Sequence, residues 1–288
     1  NLHENTTFME LLGAISTKHQ IRAPGQGGRL VAGGFYFHRL KMAHVLLLGA
    51  SLLAARQVFS QLTSRQRTIE GLLLLLFVST LFLTYTRAAL LGLVGGGVVI
   101  IWFASRRWKA LTLGVGALVI LIALSYSPIR ERIFSIGDAA ASSERVLLWS
   151  TAVNVIDERP WGMGLGNYPS LIGKYYEGVE GAGDLPRTYA HNLLLSSWAE
   201  SGPFGALGYG WMWVCLALAC FWRLRKPEFV STHFIAAAGL MALIALWTVG
   251  ITHDVLYHKP VSLTFATFMG AVTGAFYARN PSSSKAEP

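Results

Sequence analysis

The stretch SERVLLWSTAVNVIDERPWGMGLG, at positions 143–166, lies in the longest polar interval of a chain that otherwise consists of apolar runs and short basic connectors. This interval extends from Ser127 to Asn192 and separates two strongly apolar blocks. A loop of this length in a membrane protein is usually functional or disordered. Its tryptophans, tyrosines and glycines are spread without a low-complexity tract, which favours an ordered loop. We therefore predict that this loop carries the functional site.

The composition on either side of the loop is that of a membrane protein. Of the 288 residues, 53% are hydrophobic and 14% are charged, whereas a soluble domain has about 25% charged residues. Several apolar runs approach or exceed the roughly 18 residues that are needed to cross a bilayer. We therefore predict an all-α fold, a polytopic bundle of transmembrane helices with a long outer loop.

The alternation of apolar and polar segments divides the chain into five parts. They are an outer segment (1–39), four transmembrane helices (40–126), an outer loop with short helices (127–202), three transmembrane helices (203–278) and a tail (279–288). The loop is expected to end where Gly202-Pro203 breaks a short helix, because proline interrupts helical hydrogen bonding. Seven spans place the two ends of the chain on opposite sides of the membrane.

The distribution of basic residues predicts the orientation. The connectors on one side, together with the tail, hold eleven basic and three acidic residues, whereas all other segments hold 13 basic and 12 acidic residues. Lys and Arg in short loops mark the cytoplasmic face. The net charge of +9 is then mostly a topology signal, and we predict no nucleic-acid partner. The long loop faces outward, into the periplasm of a cell that has one.

Glycines are concentrated in two adjacent predicted spans. They are Gly92, Gly95, Gly96 and Gly97 in the first span and Gly114 and Gly116 in the second. Small residues let the backbones of membrane helices approach closely. We therefore expect close helix packing at both groups.

Two arginines on the outer side are candidate anion-binding residues. Arg87 stands between two apolar runs, where an ionisable group is costly and usually faces a cavity or a partner. Arg145 precedes Val146–Trp149, a sequence typical of the start of an amphipathic helix. A snorkelling helix anchor is the alternative role for Arg87, and an ion pair with Glu144 or Asp157 is the alternative for Arg145. Together they suit a diphosphate, because guanidinium binds phosphate bidentately and stays charged.

His191 is the candidate catalytic residue. It lies at the end of the loop, beside Asn192, where the next helix is expected to begin. A neutral imidazole can take a proton from a hydroxyl group near neutral pH. A structural histidine that caps the helix is the alternative.

The last outer loop contains weaker candidates. His253 and His258 flank Asp254, whose carboxylate also suits an ion pair with Arg87 or Lys259. No group of histidines, cysteines and acidic residues in the sequence has the spacing of metal ligands. We therefore predict neither a metal ion nor a cofactor.

The main candidate residues lie in four separated stretches of the sequence. They are Arg29–Phe35, Thr86-Arg87, Arg145–Trp149 continuing through Pro160–Gly166, and Ala190-His191-Asn192 with Glu200–Gly205. In their order, spacing and outer placement they resemble the O-antigen ligase/polymerase family of membrane glycosyltransferases over nearly the whole chain. Thr86 replaces an expected Ser, and residues 35–38 lack the family's Asn-Pro-Asn character. Because the family usually has ten or more spans, we expect that earlier spans precede this sequence.

The resemblance implies a GT-C-like multi-pass protein of the bacterial inner membrane with its active site facing the periplasm. The implied reaction transfers a glycan from undecaprenyl diphosphate to a sugar hydroxyl, which in the ligases belongs to lipid A-core, with inversion and without a metal. By motif, Arg87 and Arg145 would bind the donor diphosphate, and His191 would orient or deprotonate the acceptor hydroxyl. Asn192 and Arg29 would support them.

Three alternatives remain open from the sequence. An O-antigen polymerase and a protein O-oligosaccharyltransferase of the same family share the donor and differ in the acceptor. A membrane transporter, from a different class, predicts ionisable residues near the midplane and broken helices in paired halves. The predicted spans contain few ionisable groups, with Arg87 at the end of one span and His44 near the end of another.

Overall fold

The computed structural model describes residues 20–22, 30–32, 38–84, 86–125, 139–177 and 187–278. Arg29 and the tail over 279–288 lie outside the described residues. In chain order the elements are β1 (Gln20–Arg22), β2 (Leu30–Ala32), α1 (Arg39–Phe59), α2 (Ser64–Leu83), α3 (Arg87–Phe103), α4 (Arg106–Ser125), α5 (Ala139–Glu158), α6 (Tyr168–Leu171), α7 (Leu193–Arg225), α8 (His233–Gly250) and α9 (Lys259–Ala278). Short 3-10 turns occupy Ile172–Tyr175, Pro227–Thr232 and Val255–Tyr257.

The predicted helical membrane bundle is confirmed. Four helices, α1, α2, α7 and α8, are long and apolar enough to cross a membrane, and α3 is an apolar helix of 17 residues. A helix also occupies the remaining two predicted spans, as α4 and α9. The sequence did not predict the antiparallel pairing of β1 and β2, in which Ile21 lies opposite Val31.

Two helix boundaries have local causes. Helix α2 begins at Ser64, five residues before the apolar run, because Thr63 caps it: Thr63 Oγ1 accepts the Gln66 N–H, and the Gln66 side chain accepts the Thr63 N–H. This reciprocal pair satisfies two backbone donors at the end of a helix. Helix α7 bends at Gly202, whose φ of 69° and ψ of −175° are not helical, immediately before Pro203. The predicted break is therefore present, and it divides α7 into two helical segments at Gly202.

Helix α8 forms the centre of the bundle. Twelve of its 18 residues are buried, and α1, α3 and α7 pack around it. A Cβ atom added at Gly92 would lie 2.8 Å from the Ala245 carbonyl oxygen, and one at Gly96 would lie 3.1 Å from that of Met241. The missing side chains therefore let α3 approach α8 closely, as predicted.

The described residues show no such approach at other glycines of α3 and α4. Around Gly97, Gly114 and Gly116, the described residues beyond the adjacent residues and the nearby backbone of the same helix place no atom within 4 Å of an added Cβ. A glycine permits close approach only on the face that meets another helix. The sequence does not identify that face.

One end of the bundle collects the basic connectors. Arg56 near the end of α1 forms a bidentate ion pair with Glu70 near the start of α2, at 2.7 and 2.9 Å. The Arg56 guanidinium also lies 5.4 Å from the ring centroid of Phe234 at the start of α8, and Arg67 lies 5.5 Å from that of Trp108 at the start of α4. Neighbouring helices therefore run antiparallel, and the opposite end of the bundle holds the residues proposed for function.

The described parts of the long loop form a second apolar core. It contains Leu148, Ala152, Val155, Met163, Tyr168, Ile172, Tyr176, Ala190 and Ala199. The core joins α5, α6 and the first turns of α7, so these parts of the loop are ordered, in agreement with its composition. Helix α5 begins at Ala139, so Arg145 lies inside this helix and not before it, which corrects the sequence interpretation.

The loop is fastened to the kink of α7 by backbone contacts. The Met163 and Gly164 N–H groups donate to the carbonyl oxygens of Ala199 and Glu200, each at 2.9 Å. The buried Glu200 carboxylate accepts the Gly166 N–H at 2.9 Å. Gly162, with φ of 90°, packs so closely that an added Cβ would lie 2.4 Å from the Glu200 carbonyl oxygen. Two of the four sequence stretches, 160–166 and 200–205, therefore form one structural unit.

Candidate functional site

Several helix ends meet at the end of the bundle opposite the basic connectors. Gly92 of α3 packs against Ala245 and Val249 of α8, while Gly96 packs against Met241, so α3 and α8 run antiparallel. Arg87 is five residues before Gly92, or about 7.5 Å along the helix. It therefore lies near the carboxyl end of α8.

The start of α7 reaches the same place. A Cβ added at Gly250 would lie 3.0 Å from the Leu193 side chain. The Asn192 side-chain amide donates to the Ile251 carbonyl oxygen at 3.1 Å. The 251–258 turn between α8 and α9 thus packs against the segment that carries His191.

His191 is held by a buried carboxylate of that turn. The His191 backbone N–H donates to Asp254 Oδ2 at 2.8 Å, and His191 Nδ1 lies 3.2 Å from the same oxygen. The Ser196 hydroxyl donates to Asp254 Oδ1 at 2.6 Å. The Asp254 side chain is only 3% exposed, whereas the His191 side chain is 32% exposed. With Nδ1 facing the carboxylate, Nε2 on the other side of the ring is the nitrogen that can accept a proton.

The backbone of His191 is unusual. Its φ is 51°, in the left-handed region, and it is the only non-glycine residue with positive φ among those that the structure describes. Such a conformation costs of order 1 kcal/mol and persists where surrounding contacts impose it. Here the Asp254 contacts supply that constraint, and the backbone turn directs the imidazole toward the 251–258 turn.

Asn192, predicted to support His191, is the residue that caps α7. Its side-chain oxygen accepts the N–H groups of Leu194 and Leu195, both at 3.0 Å. The capping alternative considered for His191 therefore applies to Asn192. The cap fixes the start of α7, and His191 is the residue immediately before it.

Further histidines surround the His191–Asp254 pair. The ring of His253 lies 6.1 Å from that of His191 and 6.1 Å from that of His44 in α1, and the rings of His258 and His38 are 6.3 Å apart. Burial lowers the pKa of His253 to about 3, with a further contribution from nearby positive groups that include Arg145. Burial also lowers the pKa of His258, followed by the effect of Lys41. Both imidazoles are thus neutral at physiological pH.

Arg145 reaches this environment from the loop. It is exposed on α5, and its charge is close enough to His253 to lower the pKa of that imidazole. Of the two ion-pair partners considered for Arg145, the side chain of Glu144 lies outside the described residues. Asp157 is not within ion-pair distance of Arg145, since the described ion pairs join other residues.

The structure brings the sequence candidates to one end of the bundle to different degrees. His191 and Asn192 contact the 251–258 turn directly, Arg145 acts on it electrostatically, and Arg87 is half-buried as the first residue of α3. The sequence predicted only a weaker role for Asp254 and none for Ser196. Asp254 was considered as a partner of Arg87 or Lys259, but its hydrogen bonds go to His191 and Ser196, and nothing in the sequence indicates that pairing.

A family comparison covers most of these residues. Residues 72–210 match the model of the family described as O-antigen ligase. The matched range includes Arg87, Arg145, His191 and Glu200 but not Asp254. No curated protein matches the chain significantly. The apolar helices and the family match agree with the sequence resemblance: the chain is a multi-pass membrane protein, and its residues 72–210 are similar to the O-antigen ligase family.

Proposed function

We propose that this protein transfers a glycan from undecaprenyl diphosphate to a sugar hydroxyl, that of lipid A-core, at the periplasmic face of the bacterial inner membrane. The observation that supports the proposal most directly is the His191–Asp254 contact. A buried carboxylate beside Nδ1 favours one orientation of the imidazole, with Nε2 on the opposite side of the ring, and this arrangement suits general-base catalysis. The family match over residues 72–210 supports the reaction class.

In the proposed reaction, the acceptor hydroxyl oxygen attacks the anomeric carbon of the donor glycan. The new glycosidic C–O bond forms as the C–O bond to the diphosphate breaks, so the anomeric centre is inverted. The hydroxyl proton passes to His191 Nε2, and the bonding electrons leave with undecaprenyl diphosphate. Asp254 stabilises the imidazolium that results.

The two arginines act on the leaving group in this proposal. Arg87 and Arg145 bind the diphosphate and stabilise the negative charge that develops as it departs. The membrane-embedded bundle suits a donor with a polyprenyl chain, because the lipid remains in the bilayer while its diphosphate lies at the surface. This division of labour assigns substrate binding to the arginines and proton transfer to the histidine.

The proposal is tested with the purified full chain in proteoliposomes that contain undecaprenyl-diphosphate glycan and a lipid A-core acceptor. The wild type is expected to give ligated product, and His191→Ala is expected to lose it while expression and melting temperature stay close to wild type. His233→Ala is the matched control, since this half-buried histidine begins α8 at the basic end of the bundle. Near-normal turnover by His191→Ala would remove His191 from the mechanism.

The acceptor is resolved in the same reaction. A ladder of longer glycans from donor alone would identify a polymerase. Transfer to an added pilin, with lipid A-core left unmodified, would identify a protein O-oligosaccharyltransferase. Either result keeps the donor half of the proposal and overturns the acceptor half.

A further inference from the structure

Three large apolar side chains are exposed where the loop meets the kink of α7. Trp161, Leu165 and Phe204 are 73%, 79% and 75% exposed. The rings of Trp161 and Phe204 stack, with centroids 6.0 Å apart and planes 18° from parallel. Leaving such side chains in water is unfavourable relative to burying them. An exposed apolar group of this kind usually marks an interaction surface.

The exposure does not result from a loose loop tip. Trp161 and Leu165 flank the residues that are hydrogen-bonded to Ala199 and Glu200. At Gly202, an added Cβ would lie 2.7 Å from the Trp161 carbonyl oxygen, so the two backbones are in close contact. The apolar side chains are therefore held outward by a fixed backbone.

These side chains continue the apolar face of a membrane helix. Beyond the kink, six of the seven exposed large apolar residues of α7 recur every three or four positions along one face, with Met212 beside it: Phe204, Leu207, Trp211, Val214, Leu218 and Trp222. This spacing is one stripe of a helix, and α7 is apolar enough to span a bilayer. An exposed apolar stripe on a helix of this length is suited to contact lipid tails. Trp161 stacks on its first member and extends the stripe into the loop.

We propose that Trp161, Leu165 and Phe204 form a membrane anchor that inserts into the outer leaflet at the boundary between headgroups and acyl chains. Lipid is the partner because the surface is continuous with the lipid-facing stripe of α7. Tryptophan is also the residue that favours this depth, since its ring is apolar and its N–H is polar. The anchor requires a membrane orientation of α7 but not the glycan transfer reaction.

The anchor fixes the height of the candidate site above the bilayer. Asn192 and Gly202 are ten residues apart on the first part of α7, about 15 Å along the helix axis. Because the 160–168 segment is bonded to the kink, the anchor and the start of α7 form one rigid unit. Inserting the anchor therefore holds His191 at a set distance from the headgroups.

The test measures the depth of the anchor directly. In a Cys215→Ser background, which removes the exposed cysteine and keeps the buried Cys220, a nitroxide is attached at Leu165→Cys in the full chain. The protein is placed in vesicles of phosphatidylethanolamine and phosphatidylglycerol, and collisions with oxygen and with a water-soluble nickel chelate are compared. Asp157→Cys, at an exposed polar position of α5, is the matched control.

The label at position 165 is expected to collide with oxygen several-fold more often, relative to the nickel chelate, than the label at position 157. Trp161→Cys provides a second label site if Leu165→Cys does not fold. Equal collision ratios at the anchor and control positions would overturn the proposal. Protection from both reagents that persists in detergent, with cross-linking between copies, would also overturn it, because the surface would then be a protein interface. Transfer activity does not enter either readout.

Discussion

Replacing Asp254 by Asn isolates the charge of the carboxylate that holds His191. The substitution is nearly isosteric, and the amide oxygen can still accept from the His191 backbone N–H that Asp254 Oδ2 accepts at 2.8 Å. The amide NH₂ group then faces Ser196, whose hydroxyl can change from donor to acceptor. We expect the fold to survive with a loss of stability of about 1 kcal/mol. Asp254→Ala would instead leave buried N–H and hydroxyl groups unsatisfied.

The expected effect of Asp254→Asn is on turnover. Without the negative charge, the imidazolium that forms when His191 accepts a proton is no longer stabilised, so kcat should fall by about 10²- to 10⁴-fold. This corresponds to about 2.7–5.5 kcal/mol of transition-state stabilisation. The KM for the donor should change little, because both arginines remain.

The assay is initial-rate transfer in proteoliposomes with donor and acceptor varied separately, together with a thermal melt of each variant. Asp157→Asn, an exposed change on α5, is the matched control and should leave both kcat and the melting temperature unchanged. A kcat for Asp254→Asn within about threefold of wild type, in a folded protein, would refute the role of Asp254 in orienting the base.

Three further predictions concern the arginine, the kink and the histidine cluster. Arg145→Lys keeps the charge but loses the fork that binds phosphate bidentately; the donor KM should rise about tenfold, while Arg159→Lys, on an exposed residue of the same loop, should leave it unchanged. Gly202→Ala places a side chain at a residue with φ of 69° and against the Trp161 backbone, so the free energy of unfolding should fall by about 1–3 kcal/mol. Gly208→Ala is the control: no described atom is recorded within 4 Å of its added Cβ, so this change should be neutral or stabilising. His253 has its pKa lowered to about 3 by burial, so the folded state excludes a proton that the unfolded state binds below about pH 6.5. As the pH falls from about 6.5 toward 3, the free energy of unfolding should therefore decrease by up to about 1.4 kcal/mol per pH unit. His253→Asn removes this titration, so a plot of melting temperature against pH should become flatter in this window.

The apolar runs made the helical part of the fold predictable. A bilayer requires long uninterrupted apolar helices, so the runs around α1, α7 and α8 are visible without any knowledge of their packing. The helix break at Gly202-Pro203 was also predictable, because the effect of proline on the backbone is local. The early start of α2 shows the limit of hydropathy alone, since a polar capping box extended the helix beyond its apolar part.

The contacts that build the candidate site depend on tertiary structure. Asp254 and His191 are 63 residues apart in the chain, and they meet because α7 begins, and α8 ends, at the same side of the bundle. The close packing of Gly162 against the Glu200 backbone likewise joins residues that are distant in the chain. A sequence names the residues with the right chemistry, as it did for His191 and Arg145, but it does not state which carboxylate faces which imidazole.

The carboxylate of Asp254 also limits how the protein can be recombined. Asp254 belongs to the turn between the last two helices, whereas the His191 imidazole beside it belongs to the outer loop. Neither segment therefore forms the site without the other. A chimera that receives only residues 139–202 from a relative would combine a foreign histidine with the resident turn, and the orientation of the ring would then depend on how well the two match. Exchanging substrate preference by grafting would therefore require moving residues 251–258 together with the loop.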